Sequence, residues 1–255
     1  MSTVEATGVQ RIADAFASAK GRAALMPYLM AGFPTLEQSI AIGEACVRGG
    51  ADLLELGVPY SDPLADGPVI HEAGTRALAS GASVAGVLEV ARALAPSVPV
   101  VLMCYANMVF APGVEAFIER LARTGACERH GLALIPLVAP TTTEERLSAI
   151  GAGAQGFLYT VSVVGTTGER DALQERFAEV VARAKRNTRA PVALGFGIST
   201  PEQARQAAEA GADGVIVGTR LVRAAGESED PAAAVGALVA ELASGLAPTA
   251  PRADS

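Results

Sequence analysis

The sequence predicts an α/β fold, a TIM-type (β/α) barrel that has seven strands or an incompletely closed wall. Short runs rich in Val, Leu and Ile alternate with alanine-rich stretches of helical period, as expected when parallel strands are buried on both faces. Of the 255 residues, 50% are hydrophobic and 18% are charged, which is enough apolar material for one large domain. The pattern gives about seven strand–helix units, close to the eight of a TIM barrel.

The predicted strands are seven apolar runs, at 24–32, 51–59, 98–107, 131–140, 155–163, 190–199 and 213–222. Helix signals lie between them, for example Ser199 or Thr200 followed by Pro201 at a helix start. The final residues, LAPTAPRADS, have the Pro, Ala and Ser bias of a disordered end. We therefore expect a single barrel domain over residues 1–246 and a flexible tail over 247–255.

One joint of the pattern is irregular. Two helices pass into their next strands through Gly-Ala-Asp, at 50–52 and 211–213. A third helix ends in the similar RTGA, but the residues after Ala126, CERHG, are typical of a last helical turn and not of a strand. Either a whole strand–helix unit is missing between Ala126 and Cys127, or one ordinary helix runs from about 113 to 130 and links adjacent strands.

Charge and cysteine content exclude several classes of partner. Twenty Lys and Arg against 27 Asp and Glu give a net charge of -7, which disfavours nucleic acid and anionic membranes. The three cysteines are too far apart for a disulfide framework or a zinc cluster. The first residues contain acids where a signal peptide has a basic start, and no apolar run has membrane-spanning length. We expect a cytoplasmic protein.

Scarce lysine and histidine narrow the chemistry. Lysine occurs only at Lys20 and Lys185, and neither is placed where a Schiff-base lysine normally acts. Histidine occurs only at His71 and His130, without a second His or a Cys at ligand spacing, so we expect no metal site. An enzyme with this sequence has to rely on carboxylates and backbone groups.

Glycines at the ends of the last two predicted strands suggest a phosphate site. The runs GFGIS and VGTRLV bring backbone N–H groups to the carboxyl ends of these strands, where barrel enzymes build their sites. A helix that starts at Thr219 would add its positive dipole end. GFGIST is not a GxGxxG fingerprint, so no dinucleotide is implied. Glycine is also the usual tight-turn residue, so the alternative is purely structural.

Two carboxylates and a set of bulky residues complete the candidate site. Glu55 is flanked by Leu54 and Leu56, so burial should raise its pKa and let it pass a proton near neutral pH; the alternative is an ion pair inside the barrel. Asp66 follows in a Pro- and Gly-punctuated loop, where it could also be a turn residue. A flat apolar ligand is suggested by bulky residues at strand ends, namely Tyr28, Met103, Tyr105, Leu137, Tyr159 and Phe196.

Six segments stand in order along the chain, namely PYLMAGFP at 27–34, ELGVPYSDPLADGP at 55–68, YANMVF at 105–110, TTGER at 166–170, LGFGIS at 194–199 and VIVG at 215–218. Together they closely resemble the tryptophan synthase alpha subunit. The resemblance implies a carbon–carbon lyase of tryptophan biosynthesis that needs no cofactor. Its reaction is the retro-aldol cleavage of indole-3-glycerol phosphate to indole and glyceraldehyde 3-phosphate.

The same resemblance implies roles for individual residues. Glu55 would donate and accept the proton at indole C3 and the glycerol hydroxyl, and Asp66 would bind the indole N–H. The expected indole pocket consists of Tyr28, Tyr105, Leu137, Tyr159 and Phe196. The expected phosphate site consists of Gly168, Gly195, Gly197, Gly218 and Thr219, where Thr219 replaces the family's usual serine.

The resemblance also implies a partner and identifies a departure. Loops with Pro59, Asp62 and Asp66 would face a pyridoxal-phosphate beta subunit in an alpha2beta2 heterotetramer. Family members carry a further strand and helix at the joint after Ala126, and their loss would open the barrel wall to water. One alternative is therefore a catalytically impaired chain that acts as a binding partner or activator of the beta subunit. Another is a different phosphate-binding barrel enzyme, such as a sugar-phosphate isomerase.

Overall fold

Seven parallel strands form one curled sheet in the computed structural model, which describes residues 7–19, 21–122, 132–161, 170–195 and 197–247. The spatial order is β3-β2-β1-β7-β6-β5-β4, so the first and last strands of the chain pair at the centre. The strands are β1 (Ala24–Met30), β2 (Leu54–Gly57), β3 (Val100–Met103), β4 (Leu137–Val138), β5 (Leu158–Val161), β6 (Val192–Gly195) and β7 (Gly214–Val217).

Helices alternate with these strands, as the sequence predicts. They are α1 (Gly8–Ser18), α2 (Leu36–Arg48), α3 (Pro68–Ala79), α4 (Val84–Leu94), α5 (Ala106–Phe110), α6 (Val114–Ala122), α7 (Glu144–Ala152), α8 (Arg170–Lys185), α9 (Pro201–Glu209), α10 (Thr219–Glu227) and α11 (Pro231–Leu246). The start predicted at Pro201 is confirmed, because the Thr200 hydroxyl accepts a hydrogen bond from the Gln203 N–H at 3.2 Å.

The wall of the barrel is open between β3 and β4. These strands are the two ends of the sheet, and no described residue forms a strand that pairs with either outer edge. All four residues of β3 are half-buried, whereas all four of β2 are buried, as expected when one neighbour of β3 is absent. The prediction of a seven-stranded, incompletely closed barrel is confirmed. The opening lies between α6 and β4 in the chain, which is where the irregular joint falls.

All seven strands are shorter than the predicted runs, and the fourth is shortened most. Its two residues replace the run expected at 131–140, of which residue 131 lies outside the described part of the chain. An edge strand has a partner on one side only, so little holds its ends in extended pairing. Leu134 instead donates its N–H to the Gln155 side chain at 3.2 Å. Leu132 packs with Ala95 and Val100 on the other side of the opening.

The aspartates of the two Gly-Ala-Asp motifs fasten neighbouring strands together. Asp52, just before β2, accepts a hydrogen bond at 2.8 Å from the Leu25 N–H of β1 and pairs with both guanidinium ends of Arg22 at 2.7 and 2.8 Å. Asp213, just before β7, accepts one at 2.8 Å from the Val192 N–H of β6. The motif recurs because each aspartate ties the start of one strand to the start of the strand beside it.

The core has two layers, one inside the sheet and one between the sheet and the helices. The helix α1 covers the amino-terminal end of the inner layer, where the Phe16 and Phe157 rings lie 5.6 Å apart. The carboxyl ends of the strands face the opposite direction. The helix α11 ends at Leu246, and residues 248–255 of the predicted tail lie outside the described residues. The division into one domain and a tail stays a prediction.

The described residues contain no single helix that is both long and apolar enough to cross a membrane. The helices α3 and α4 together reach that length and apolar composition, but a bend of 105° separates them.

Candidate active site

Glu55 is a buried carboxyl inside the curled sheet. It lies on β2 between its register partners Tyr28 and Val101, and it is 1% exposed. Neither side-chain oxygen has a hydrogen-bond partner among the described residues, and none of these forms an ion pair with it, which leaves the ion-pair alternative without support. Burial raises the pKa of Glu55 to about 8. The predicted burial is confirmed, and at neutral pH the group is a protonated acid.

Two tyrosines converge on this carboxyl. Burial raises the pKa of Tyr28, and the negative charges of Glu55 and Asp66 raise it further. Burial also raises the pKa of Tyr159 on β5 well above its usual value, and the charge of Glu55 again adds to the effect. Both phenols therefore stay neutral around the acid. The two carboxylates lie on the same side of the molecule, since both act on Tyr28.

Glycines make room for these two phenols. A Cβ on Gly57 would lie 2.0 Å from the Tyr28 hydroxyl oxygen, and a Cβ on Gly195 would lie 2.7 Å from that of Tyr159. Neither position can carry a side chain unless the ring moves. Gly57 was not identified from the sequence, although it lies in the ELG of the quoted motif. Gly195, which the sequence interpretation assigns to phosphate, has this packing role as well.

Asp66 lies on the loop between β2 and α3, next to Tyr105. The Tyr105 hydroxyl accepts a hydrogen bond from the Ala65 N–H at 3.2 Å, which places it beside the Asp66 side chain. Partial burial raises the pKa of Asp66, while the Tyr105 hydroxyl and the charge of His71 lower it. Tyr105 is thus more than a pocket wall, because its hydroxyl fixes the loop that carries Asp66.

A second contact fixes the same loop, and the sequence did not reveal it. The Tyr60 ring stacks on the Tyr105 ring with centroids 4.9 Å apart. The Asn107 side-chain amide donates a hydrogen bond to the Tyr60 hydroxyl at 2.6 Å. Both residues lie within segments that carry the family resemblance, but a contact between residues 47 positions apart has no local signal.

The glycine-rich end of the site lies on the other side of Tyr28. Thr219 begins α10 as predicted, and the first N–H groups of a helix have no partner within it. Gly218 precedes this helix and lies against the Tyr28 ring, since a Cβ there would be 3.2 Å from Tyr28 Cδ1. Gly197, with φ +80°, follows β6 and is exposed. The arrangement presents backbone N–H groups and a positive helix end beside the ring that neighbours Glu55.

The remaining predicted residues differ in how they are placed. Leu137 is the register partner of Tyr159 but lies on the open edge and is 46% exposed. Met103 ends β3 and is half-buried. Gly168 and Phe196 lie outside the described residues. In the part of the chain that is described, no three His, Cys, Asp or Glu side chains are grouped so that they could hold a metal ion.

A family model described as tryptophan synthase alpha chain matches residues 15–126 and 124–248. This chain belongs to the tryptophan synthase alpha chain family. A tryptophan synthase alpha chain of Methanosarcina mazei is 46% identical over 246 residues, which cover 89% of this chain and 90% of the relative. One of Prochlorococcus marinus is 46% identical over 226 residues, with 80% and 82% covered.

Solved structures of the family have the same fold. A structure of Mycobacterium tuberculosis tryptophan synthase has a TM-score of 0.83 and 38% identity, and the match covers 95% of this chain and 99% of that chain. The tryptophan synthase subunit alpha of Legionella pneumophila has a TM-score of 0.82 and 34% identity, with 92% and 98% covered. The barrel assignment is therefore confirmed.

The family match breaks at the irregular joint. Its two segments meet at residues 124–126, at the Ala126–Cys127 step. The alignment to the M. mazei chain spans 246 positions, which is more than the number of residues in 89% of this 255-residue chain. Some residues of the relative therefore have no counterpart here. Together with the open wall between β3 and β4, these matches support the prediction that one strand–helix unit of the family is missing at this joint.

Proposed function

We propose that this chain is a carbon–carbon lyase that cleaves indole-3-glycerol phosphate to indole and glyceraldehyde 3-phosphate in tryptophan biosynthesis. The observation that carries the proposal is Glu55, a buried and protonated carboxyl without a described hydrogen-bond partner. A buried polar group without a partner is costly, and functional sites are where such a cost is retained. Membership of the tryptophan synthase alpha chain family supports the same reaction.

The reaction needs one proton donor and one stabilising anion. Glu55 protonates C3 of the indole, which leaves a positive charge on the ring nitrogen that the Asp66 carboxylate stabilises through the N–H. The ionised Glu55 then takes the proton of the adjacent glycerol hydroxyl. The bond between C3 and the hydroxyl-bearing carbon breaks, its electron pair restores the aromatic indole, and that carbon becomes the aldehyde of glyceraldehyde 3-phosphate.

The phosphate end is proposed to bind at the glycine-rich end of the site, whose expected residues are Gly168, Gly195, Gly197, Gly218 and Thr219. The first turn of α10 offers free N–H groups and a positive dipole end, which suit a phosphate. The indole ring is proposed to lie against Tyr28, Tyr105, Leu137, Tyr159 and Phe196. Tyr28 contacts Gly218 and is paired with Glu55, so one ring connects the two ends.

Release of indole from indole-3-glycerol phosphate tests the proposal. The wild-type chain should release indole, and Glu55→Gln should lower the rate by at least about 100-fold, because an amide cannot donate and accept this proton. Glu44→Gln is a matched control, since Glu44 is an exposed residue of α2 that pairs with Arg48. An active Glu55→Gln variant would overturn the assignment of the acid.

A beta subunit is the proposed partner, in an alpha2beta2 heterotetramer. The loop with Pro59, Asp62 and Asp66 is the expected contact, and Leu64 on the same loop is 95% exposed. An exposed leucine two positions from an aspartate on each side suits a protein interface. The cytoplasmic location expected from the cysteine content stays a prediction.

The open wall favours a second candidate function. Leu137, a proposed wall of the indole pocket, lies on the open edge and is 46% exposed, so this wall is uncovered on one side, whereas the chemistry requires a dry site. The alternative is a catalytically impaired chain that binds and activates the beta subunit. Indole release that stays absent at saturating beta subunit, together with a faster beta reaction, would establish the alternative.

A further inference from the structure

Arg220 bridges three elements behind the glycine-rich end of the site. It is the second residue of α10, directly after Thr219, and its side chain is 30% exposed. One guanidinium nitrogen donates to the Ser199 carbonyl oxygen at 2.5 Å, and the other donates to Glu241 on α11 at 2.9 Å. The planar guanidinium can hold two acceptors in fixed directions, which a lysine cannot do.

The carbonyl that Arg220 holds belongs to the loop that follows β6. Ser199 is fixed from its other side by Gln203, whose side-chain oxygen accepts from the Ser199 N–H at 2.8 Å and from its hydroxyl at 3.0 Å. Gly197 lies two residues earlier, with φ +80°, and has no side chain with which to anchor itself. This loop is anchored by the buried Ile198 and by Ser199, so how Ser199 is held contributes to the position of the Gly197 N–H.

The charge of Arg220 is already engaged. Glu241 lies 2.9 Å away, so the pair adds little net charge, and both acceptors of the guanidinium lie in the protein. Its effect on a bound anion is accordingly geometric. Arg220 extends from the first turn of α10 and hydrogen-bonds to the β6–α9 loop. It therefore fixes the distance between the N–H donors of α10 and those of the loop.

We propose that Arg220 is a positioning residue for the phosphate site, which holds the Gly197 loop in register with the first turn of α10. The inference rests on the proposed function in one respect, namely that this end of the site binds phosphate. Nothing in the sequence pattern marks the residue, since it follows the VGT motif as an ordinary helix arginine.

Arg220→Met tests this role, with Arg205→Met as the matched control. Arg205 is a surface arginine of α9 that pairs with Glu202 and Glu209, so its loss removes the same charge from the same side of the barrel. The probe is glycerol 3-phosphate, with its dissociation constant measured by calorimetry. We expect about a tenfold weaker affinity in Arg220→Met and less than a twofold change in the control.

Kinetics of the reverse reaction separate positioning from general damage. The KM for glyceraldehyde 3-phosphate should rise about tenfold, while the KM for indole should change less than twofold. Arg220→Lys keeps the charge but not the two-armed bridge, so it should also weaken glycerol 3-phosphate binding. Equal increases in both KM values, or wild-type affinity in Arg220→Lys, would overturn the inference.

The outcome is independent of whether cleavage occurs. A wild-type chain that binds glycerol 3-phosphate without cleaving indole-3-glycerol phosphate would refute the proposed function and still allow the comparison between variants. A wild-type chain that cleaves the substrate, with an Arg220→Met affinity equal to that of the control, would refute the role of Arg220 alone.

Discussion

Tyr28 on β1 and Glu55 on β2 are register partners, so a phenol and a carboxyl project from adjacent strands into the same interior. Glu55 is buried and Tyr28 is partly buried, and ionisation of one makes ionisation of the other less favourable. The pair therefore stays neutral near pH 7, with the proton of Glu55 available for transfer. Its geometry has consequences for stability and for catalysis that can be measured separately.

The stability of the protein should fall as the pH rises through the range between the two pKa values of Glu55. The usual value is 4.5 and the folded-state value is about 8, so the unfolded chain ionises first and stability is lost up to about pH 8. Glu55→Gln removes this dependence. Relative to the wild type, the variant should gain about 3–5 kcal/mol in free energy of unfolding between pH 4.5 and pH 8.

Urea unfolding at pH 4.5, 6 and 8 measures this gain, and Glu44→Gln provides the control because Glu44 is exposed. Only the change with pH is informative, since burying an amide adds its own constant cost. If the free energy of unfolding changes with pH in the same way for wild type and Glu55→Gln, the carboxyl is not buried as described.

Cleavage should depend on a protonated Glu55. We expect kcat/KM to fall about tenfold per pH unit above about pH 8, since the fraction of protonated acid declines at that rate. Steady-state rates between pH 5.5 and 9.5 measure this limb. Residual activity in Glu55→Gln should lack it, and a limb that persists in the variant would assign the proton to another group.

Tyr105→Phe should impair Asp66 and leave Glu55 unchanged. The Tyr105 hydroxyl lowers the pKa of Asp66, so its loss should raise that pKa and move the acidic limb of the rate profile to higher pH. The loop also loses the bond from the Ala65 N–H. We expect about a tenfold lower kcat/KM near neutral pH, measured by indole release.

Tyr60→Phe is the matched variant for this prediction. It removes a hydroxyl from the ring stacked on Tyr105, but that hydroxyl bonds to Asn107 and not to Asp66. The acidic limb of the pH–rate profile of Tyr60→Phe should stay at the wild-type position. A shift of the same size in both variants would mean that the anchoring of the loop, and not the Tyr105 hydroxyl itself, sets the pKa of Asp66.

Gly57→Ala should be costly, although the added group is one methyl. The new Cβ would lie 2.0 Å from the Tyr28 hydroxyl, so the ring must leave its place beside Glu55. We expect a loss of about 1–3 kcal/mol in the free energy of unfolding and a large fall in activity. Gly153→Ala is the control, because its nearest neighbours would be at 3.8 and 3.9 Å. Chemical denaturation and indole release together check the prediction.

The sequence predicts the parts of this molecule that follow from local pattern. Apolar runs locate the strands, and the acid between leucines correctly indicates that Glu55 is buried. The RTGA joint indicates a missing unit because two intact Gly-Ala-Asp joints elsewhere in the chain provide a comparison. These features are visible because each depends on neighbours a few residues away.

Contacts between distant strands are not predictable in this way. That Gly57 must be small follows from the position of the Tyr28 hydroxyl on another strand. The stacking of Tyr60 on Tyr105 and the bridge from Arg220 to Ser199 likewise join segments that are separate in the sequence. The lengths of all seven strands were overestimated, and that of β4 most, since an apolar run does not reveal that its strand lies on an open edge.

The central pairing of β1 with β7 divides the sheet into two wings made by different halves of the chain. One wing supplies Glu55 and Asp66, and the other supplies Gly197 and the first turn of α10. A ligand that contacts both acids and the glycine N–H groups would span the β1–β7 pairing and connect the two wings of the open sheet. The bound ligand would then keep the two wings from moving apart. In a closed barrel, the additional strand and helix would have this role.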